Sequence, residues 1–226
     1  DGWHDLYLTG GGNPDALFRN NGDGSFTETT SEAGITSMNA FATNGVTTGD
    51  VNNDGWPDVF VTTLIPHANQ LLLNNGDGTF TNQVGWAGAN HVSNSFSSGF
   101  ADLNSDGWLD LYVCNWSRNM QVIVEGENVN VDSDKNFYYE NDGTGTFVEK
   151  AIQLQLEDSL GCALGVLFTD FDDDNDLDIY VANDFGYFNG NSPNRLFRNE
   201  QNGQSFTEIS QLVGADLEMN GMGVAK

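Results

Sequence analysis

Carboxylates and side-chain amides recur on one nine-residue pattern, D-x-[DN]-x-D-[GN]-x-x-D, at Asp50 to Asp58 (DVNNDGWPD), Asp102 to Asp110 (DLNSDGWLD) and Asp170 to Asp178 (DFDDDNDLD). Oxygen donors at positions 1, 3, 5 and 9, with a residue at position 6 that can turn left-handed, make a cage suited to a hard cation such as Ca²⁺. The candidate side-chain ligands are Asp50, Asn52, Asp54 and Asp58; Asp102, Asn104, Asp106 and Asp110; and Asp170, Asp172, Asp174 and Asp178. A helix-flanked EF-hand is excluded, because its loop needs a bidentate Glu at position 12 and Val61, Val113 and Val181 stand there instead. The runs that follow, VFVTT, LYVCN and IYVAN, are rich in β-branched and aromatic residues and read as strands. These are calcium loops joining strands, since a solvated turn that binds nothing does not require acids at every other position.

The elements that must hold these loops follow from internal repetition. The opening DGWHDLYL matches DGWPDVFV and DGWLDLYV, so Asp1 and Asp5 belong to a fourth, partial loop. Asp1, Asp54, Asp106 and Asp174 are spaced by 53, 52 and 68 residues, a period typical of repeat architectures. Downstream of each loop comes ALFRNNGDGSF, LLLNNGDGTF, FYYENDGTGTF or LFRNEQNGQSF, each a hairpin with a left-handed turn residue between two β-prone segments. Upstream of each complete loop stands a further apolar or small-residue run, NGVTTGD, FSSGFAD or LGVLFTD. One unit therefore reads as strand A, calcium loop, strand B, variable loop, strand C, Asn-Gly hairpin, strand D and a linker. Four antiparallel strands per repeat describe the blade of a β-propeller. The expected fold is an all-β propeller region over 1–226 with about four blades, the loop-to-loop repeats falling near 1–49, 50–101, 102–169 and 170–226. Ring closure of four blades would put the join inside a metal loop lacking residues, so the chain is read as a piece of a larger propeller.

Composition narrows the partners. Of 226 residues 38% are apolar and 12% aromatic, enough to bury a core and unlike a disordered chain. The 33 acidic residues against 7 Lys plus Arg give a formal charge of −26, which excludes nucleic acid and disfavours anionic membrane surfaces. No apolar run is long enough to span a bilayer. Cys114 and Cys162 are too few for a disulfide framework and wrongly spaced for zinc, and their pairing with each other in an oxidising compartment stays open. Asn115-Trp116-Ser117 is a glycosylation sequon, usable only if strand B leaves Asn115 exposed.

The loops and the N-x-L-[FY]-x-N-x-G-x-G-x-F hairpins resemble the FG-GAP/VCBS repeat family, whose calcium-bearing blades also build the head of integrin α chains. Within it ANDFG (Ala182 to Gly186), PNRLFRN (Pro193 to Asn199) and NGMGVA (Asn220 to Ala225) resemble proteins related to cartilage acidic protein. The resemblance implies a secreted or cell-surface propeller of about seven blades, with Ca²⁺ between strands A and B and a role in adhesion or recognition. It also implies that the main-chain carbonyls of Trp56, Trp108 and Asp176 complete the three cages. Asn175 departs from the family, standing where Gly is usual; Asn accepts left-handed dihedrals.

In such a blade the A–B and C–D turns share one face, and variation collects on the other. The insertion between Trp116 and Phe137 and the segment Asn183 to Asn194 lie in B–C connections, where loops on a rigid scaffold usually carry recognition. Trp116, Tyr187 and Phe188 are the candidate stacking residues for a protein or glycan ligand on the face opposite the calcium loops, and packing over blade edges is the competing reading for each. His4, His67 and His91 sit in no nucleophile motif, and the expectation is a protein without catalytic residues. Two alternatives are a self-assembling subunit of a surface layer or filament, favoured by open strand edges, and a propeller-type lyase or hydrolase built on a carboxylate pair.

Overall fold

The computed structural model describes residues 2–83, 85–86, 91–117, 134–184 and 193–217. Four antiparallel sheets follow one another along the chain. The first holds β1 (Leu6–Leu8), β2 (Ala16–Asn20) and β3 (Phe26–Glu28). The second holds β4 (Thr43–Gly49), β5 (Asp58–Thr63), β6 (Gln70–Asn74) and β7 (Phe80–Asn82). The third holds β8 (Asn94–Ala101), β9 (Asp110–Ser117), β10 (Phe137–Asn141) and β11 (Phe147–Glu149). The fourth holds β12 (Ala163–Thr169), β13 (Asp178–Asn183), β14 (Arg195–Glu200) and β15 (Ser205–Glu208). Strands pair in chain order within each sheet, and β4, β8 and β12 pack side by side. These are four consecutive blades of a β-propeller, with the A strands innermost. Each four-stranded sheet starts one strand before the corresponding loop-to-loop repeat, because strand A pairs with the strand that follows the loop.

The cores lie between blades. Val59, Val61 and Leu72 face the first sheet with Tyr7 and Leu17. Phe60 and Leu71 face the third with Leu111, Val113, Phe137 and Tyr139. Tyr112, Cys114 and Tyr138 meet Ile179, Val181 and Phe197 of the fourth. A strand buried on both faces reads as a continuous apolar run rather than an alternating one, which is why Asp58 to Thr63 is buried throughout. The D–A linkers add plugs to the same cores. Ile35 and Met38 come from a 3₁₀ turn at Ile35–Ala40, Trp86 from the second linker, and Ala151 from a short helix, α1 (Ala151–Leu154). Trp86 stands edge-on to Phe60 and donates its indole N–H to Asn69 O at 3.2 Å.

On the face of the B–C connections, one residue at the entrance of each strand C closes the turn. Asp15, Asn69, Asn136 and Asn194 accept the backbone N–H of Gly10, Thr63, Asn115 and Asn183 at 2.7 to 2.9 Å. Asn115 is fully buried, its side chain accepting from Ser95 Oγ and donating to Lys135 O. The sequon therefore presents no acceptor to solvent in the folded chain. Cys114 and Cys162 are both buried and no disulfide joins them. Among the described residues no helix is long and apolar enough to cross a membrane.

Near the centre the backbones of neighbouring A strands approach closely at one glycine. A Cβ on Gly45 would stand 2.4 Å from Phe96 O of the next blade. Gly45→Ala should lower stability by roughly 1–3 kcal/mol, the usual cost of overpacking, measured by urea unfolding.

Candidate metal centre

The three loops have one geometry. At position 1 the carboxylates of Asp50, Asp102 and Asp170 each accept two backbone N–H groups, from positions 5 and 6, at 2.8 to 3.1 Å. At position 5, Asp54, Asp106 and Asp174 accept from the N–H of position 7. Position 6 is left-handed as expected, with φ of +90° at Gly55, +88° at Gly107 and +74° at Asn175. Position 4 is left-handed as well, at Asn53, Ser105 and Asp173. Those short polar residues were the available sequence signal, since Asn and Asp visit this region more readily than other residues with a Cβ.

Position 3 separates the loops. The amides of Asn52 and Asn104 donate to the carboxylates of Asp54 and Asp106 at 2.9 and 3.0 Å. In the third loop Asp172 has no such donor, and one carboxylate oxygen from each of Asp170, Asp172 and Asp174 lies within 4.8 Å of the others. An all-oxygen set of this charge fits a hard divalent cation such as Ca²⁺, not a soft one.

Position 9 does something the loop pattern alone does not disclose. Asp58, Asp110 and Asp178 are buried, and each spans from its own loop to strand C. One oxygen accepts the N–H of position 2 (Val51, Leu103 and Phe171), the other the N–H of Asn74, Asn141 or Asn199. Asp110 also accepts from Tyr138 Oη at 2.9 Å. Asp5 repeats the contact in the first sheet, accepting from Asn20 N at 2.8 Å, while Asp1 lies outside the described residues. Burial pushes the Asp110 carboxyl up to about 7. The carboxyls of Asp58 and Asp178 are raised too, first by burial and then by neighbouring loop carboxylates. A cation beside them would reverse both effects.

Position 7 has a second use. The Trp56 indole nitrogen lies 2.6 Å from where a Cβ on Gly76 would stand, and Trp3 covers Gly22 in the same way. The ring caps the C–D turn of its own blade, and only glycine leaves room. The loops are also joined from blade to blade. Asn141 Nδ2 donates to Val51 O at 2.8 Å and Asn199 Nδ2 to Leu103 O at 2.7 Å, so the C strands of the third and fourth blades grip the preceding loop.

On the opposite face Trp116 is half-buried, packed against Phe96 at 5.8 Å between ring centroids, with its indole N–H 3.3 Å from Asp184 Oδ2. Tyr187 and Phe188 lie outside the described residues. A polar groove of about 510 Å³ opens on the loop face between the third and fourth blades, with Asp106, Lys150 and Gln204 on its walls. His67 and His91 are held by aromatic neighbours, His91 stacked on Phe137 with Nδ1 2.6 Å from Tyr139 Oη.

Two outcomes test the buried carboxylates. Asp110→Ala strands three donors, each costing about 1–3 kcal/mol when buried and unpaired, so stability should fall by roughly 3 kcal/mol even in chelator, because the donors are the protein's own, and by more in Ca²⁺, where a ligand is lost as well. In chelator the raised folded-state carboxyls hold protons that the unfolded chain has released. Stability should therefore decline as pH rises from about 4 to about 7, and added Ca²⁺ should flatten that slope in thermal melts.

A model of the FG-GAP-like repeat matches residues 1–61 and 50–113, together the first half of the chain. Among curated proteins no relative was found. Among 34 matching chains of solved structures is an Agrocybe aegerita lectin described for specific recognition of non-reducing terminal N-acetylglucosamine. The two chains are 20% identical with a TM-score of 0.48, and the match covers 90% of this chain and 47% of the lectin's, so this chain spans about half the lectin's length. With the repeat matched over half the sequence and its four-stranded blade built three times beside a three-stranded one, the protein belongs to the FG-GAP-like repeat family.

Proposed function

We propose that the chain is an extracellular, calcium-stabilised recognition scaffold without catalytic activity, secreted or displayed at a cell surface, that presents a protein or glycan ligand with the face opposite its acidic loops. The observation that carries this reading is the carboxylate set of Asp170, Asp172 and Asp174, gathered within 4.8 Å on a loop whose backbone donors hold each acid in place. Asp50, Asn52, Asp54 and Asp58, and Asp102, Asn104, Asp106 and Asp110, would hold two further ions, and the partial loop of Asp1 and Asp5 part of a fourth. Bound there, Ca²⁺ supplies charge neutralisation and cross-linking. The loops lie where strand A turns into strand B, so the metal's role is structural. The resemblance of ANDFG, PNRLFRN and NGMGVA to proteins related to cartilage acidic protein supports a secreted setting.

Extracellular calcium modules bind with Kd of roughly 10⁻⁴ to 10⁻³ M, and each site held at tenfold excess stabilises by about 1.4 kcal/mol. Thermal unfolding in millimolar Ca²⁺ should therefore occur well above that in chelator, with three or more ions per chain by elemental analysis of the same preparation. An unchanged melting temperature with no bound metal would overturn the reading.

A further inference from the structure

We infer that the side chain of Asp176 is itself a ligand of the cation in the third loop, so that this loop fills before the other two. The inference rests on the calcium reading above and concerns one residue that the repeat pattern leaves unspecified. At the same position the first two complete loops carry Trp56 and Trp108. There the ring lies toward the glycine of the C–D turn, Gly76 or Gly143. Asp176 replaces that ring and reaches the same turn with one oxygen, Oδ2 accepting the N–H of Asn202 at 3.3 Å.

Its other oxygen has nothing to do. Asp176 is only 7% exposed, and Oδ1 is buried without a hydrogen-bond partner. The carboxylate lies within hydrogen-bonding range of the Asp174 carboxylate, which is another acceptor. A buried carboxylate facing a second carboxylate is expensive unless a positive charge lies between or beside them. The other loops avoid this conflict internally, with Asn52 and Asn104 donating to Asp54 and Asp106. The third has Asp172 in place of that amide. An orphaned oxygen, a missing internal donor and three converging carboxylates thus meet in one loop, and all three are resolved by the same cation. Affinity in such loops rises with the number of charged ligands. Asp170, Asp172, Asp174, Asp176 and Asp178 offer five carboxylates, where each of the other loops offers three.

The test is a titration of the whole decalcified chain with Ca²⁺ by calorimetry, and with Tb³⁺ under indole excitation. Trp56 and Trp108 sit in the first two loops and no tryptophan in the third, so the emission distinguishes them. Wild type should show one site about tenfold tighter than the rest, filled by a first Tb³⁺ equivalent that emits weakly. Asp176→Asn and Asp176→Trp should keep the total number of ions while the tight class merges with the others, and in Asp176→Asn, which adds no indole to the third loop, emission should then rise from the first addition. A tight class unchanged in both variants, or bright emission from the first equivalent in wild type, would overturn the inference and leave the calcium reading standing. No calcium binding by wild type would overturn both.

Discussion

A buried carboxylate at the root of each four-stranded blade is the constraint on which the rest depends. Asp58, Asp110 and Asp178 close the loop that precedes them and accept from the next strand along the sheet. One side chain thereby fixes loop shape, the A–B turn and the register of strand C. Burial makes that acid a poor anion, and the neighbouring loop acids make it poorer. The sheet needs its hydrogen bonds and the electrostatics oppose its charge, so a cation placed within reach serves both. With a cation held there, as proposed, metal site and fold determinant would be one device rather than a site mounted on a finished scaffold.

The blades themselves have little core of their own. The second and third sheets bury one face against the blade before and the other against the blade after, and the linkers supply Ile35, Met38, Trp86 and Ala151 to the seams. Stability is therefore distributed across interfaces, as in other repeat proteins. At Gly45 the backbones of neighbouring innermost strands nearly touch, which leaves no room there for a side chain.

Much of this was legible in the sequence, and the reasons for the rest are particular. The left-handed turns at Gly55, Gly107 and Asn175 were legible because the strict spacing of short polar residues around one permissive position prescribes a tight loop. The hairpin asparagines were visible as a motif, yet their grip on the preceding loop at Val51 and Leu103 was not, since a contact across some ninety residues leaves no local pattern. The 3₁₀ turn at Ile35–Ala40 was hidden for the opposite reason: a six-residue turn is too short for a helical period, and its apolar residues are specified by the seam they fill. Trp116 shows the limit of reading aromatics from a line of letters, for it is already engaged by Phe96 and Asp184.

The asparagine grip between blades runs in one direction. Asn141 and Asn199 each hold a carbonyl that lies earlier in the chain, so a blade finds its acceptor only if the loop behind it is already shaped. Domains fold as units from the N-terminal end during synthesis. For this chain the order in which segments leave the ribosome is also the order in which their docking sites come into being, and each completed blade serves as the template for its successor.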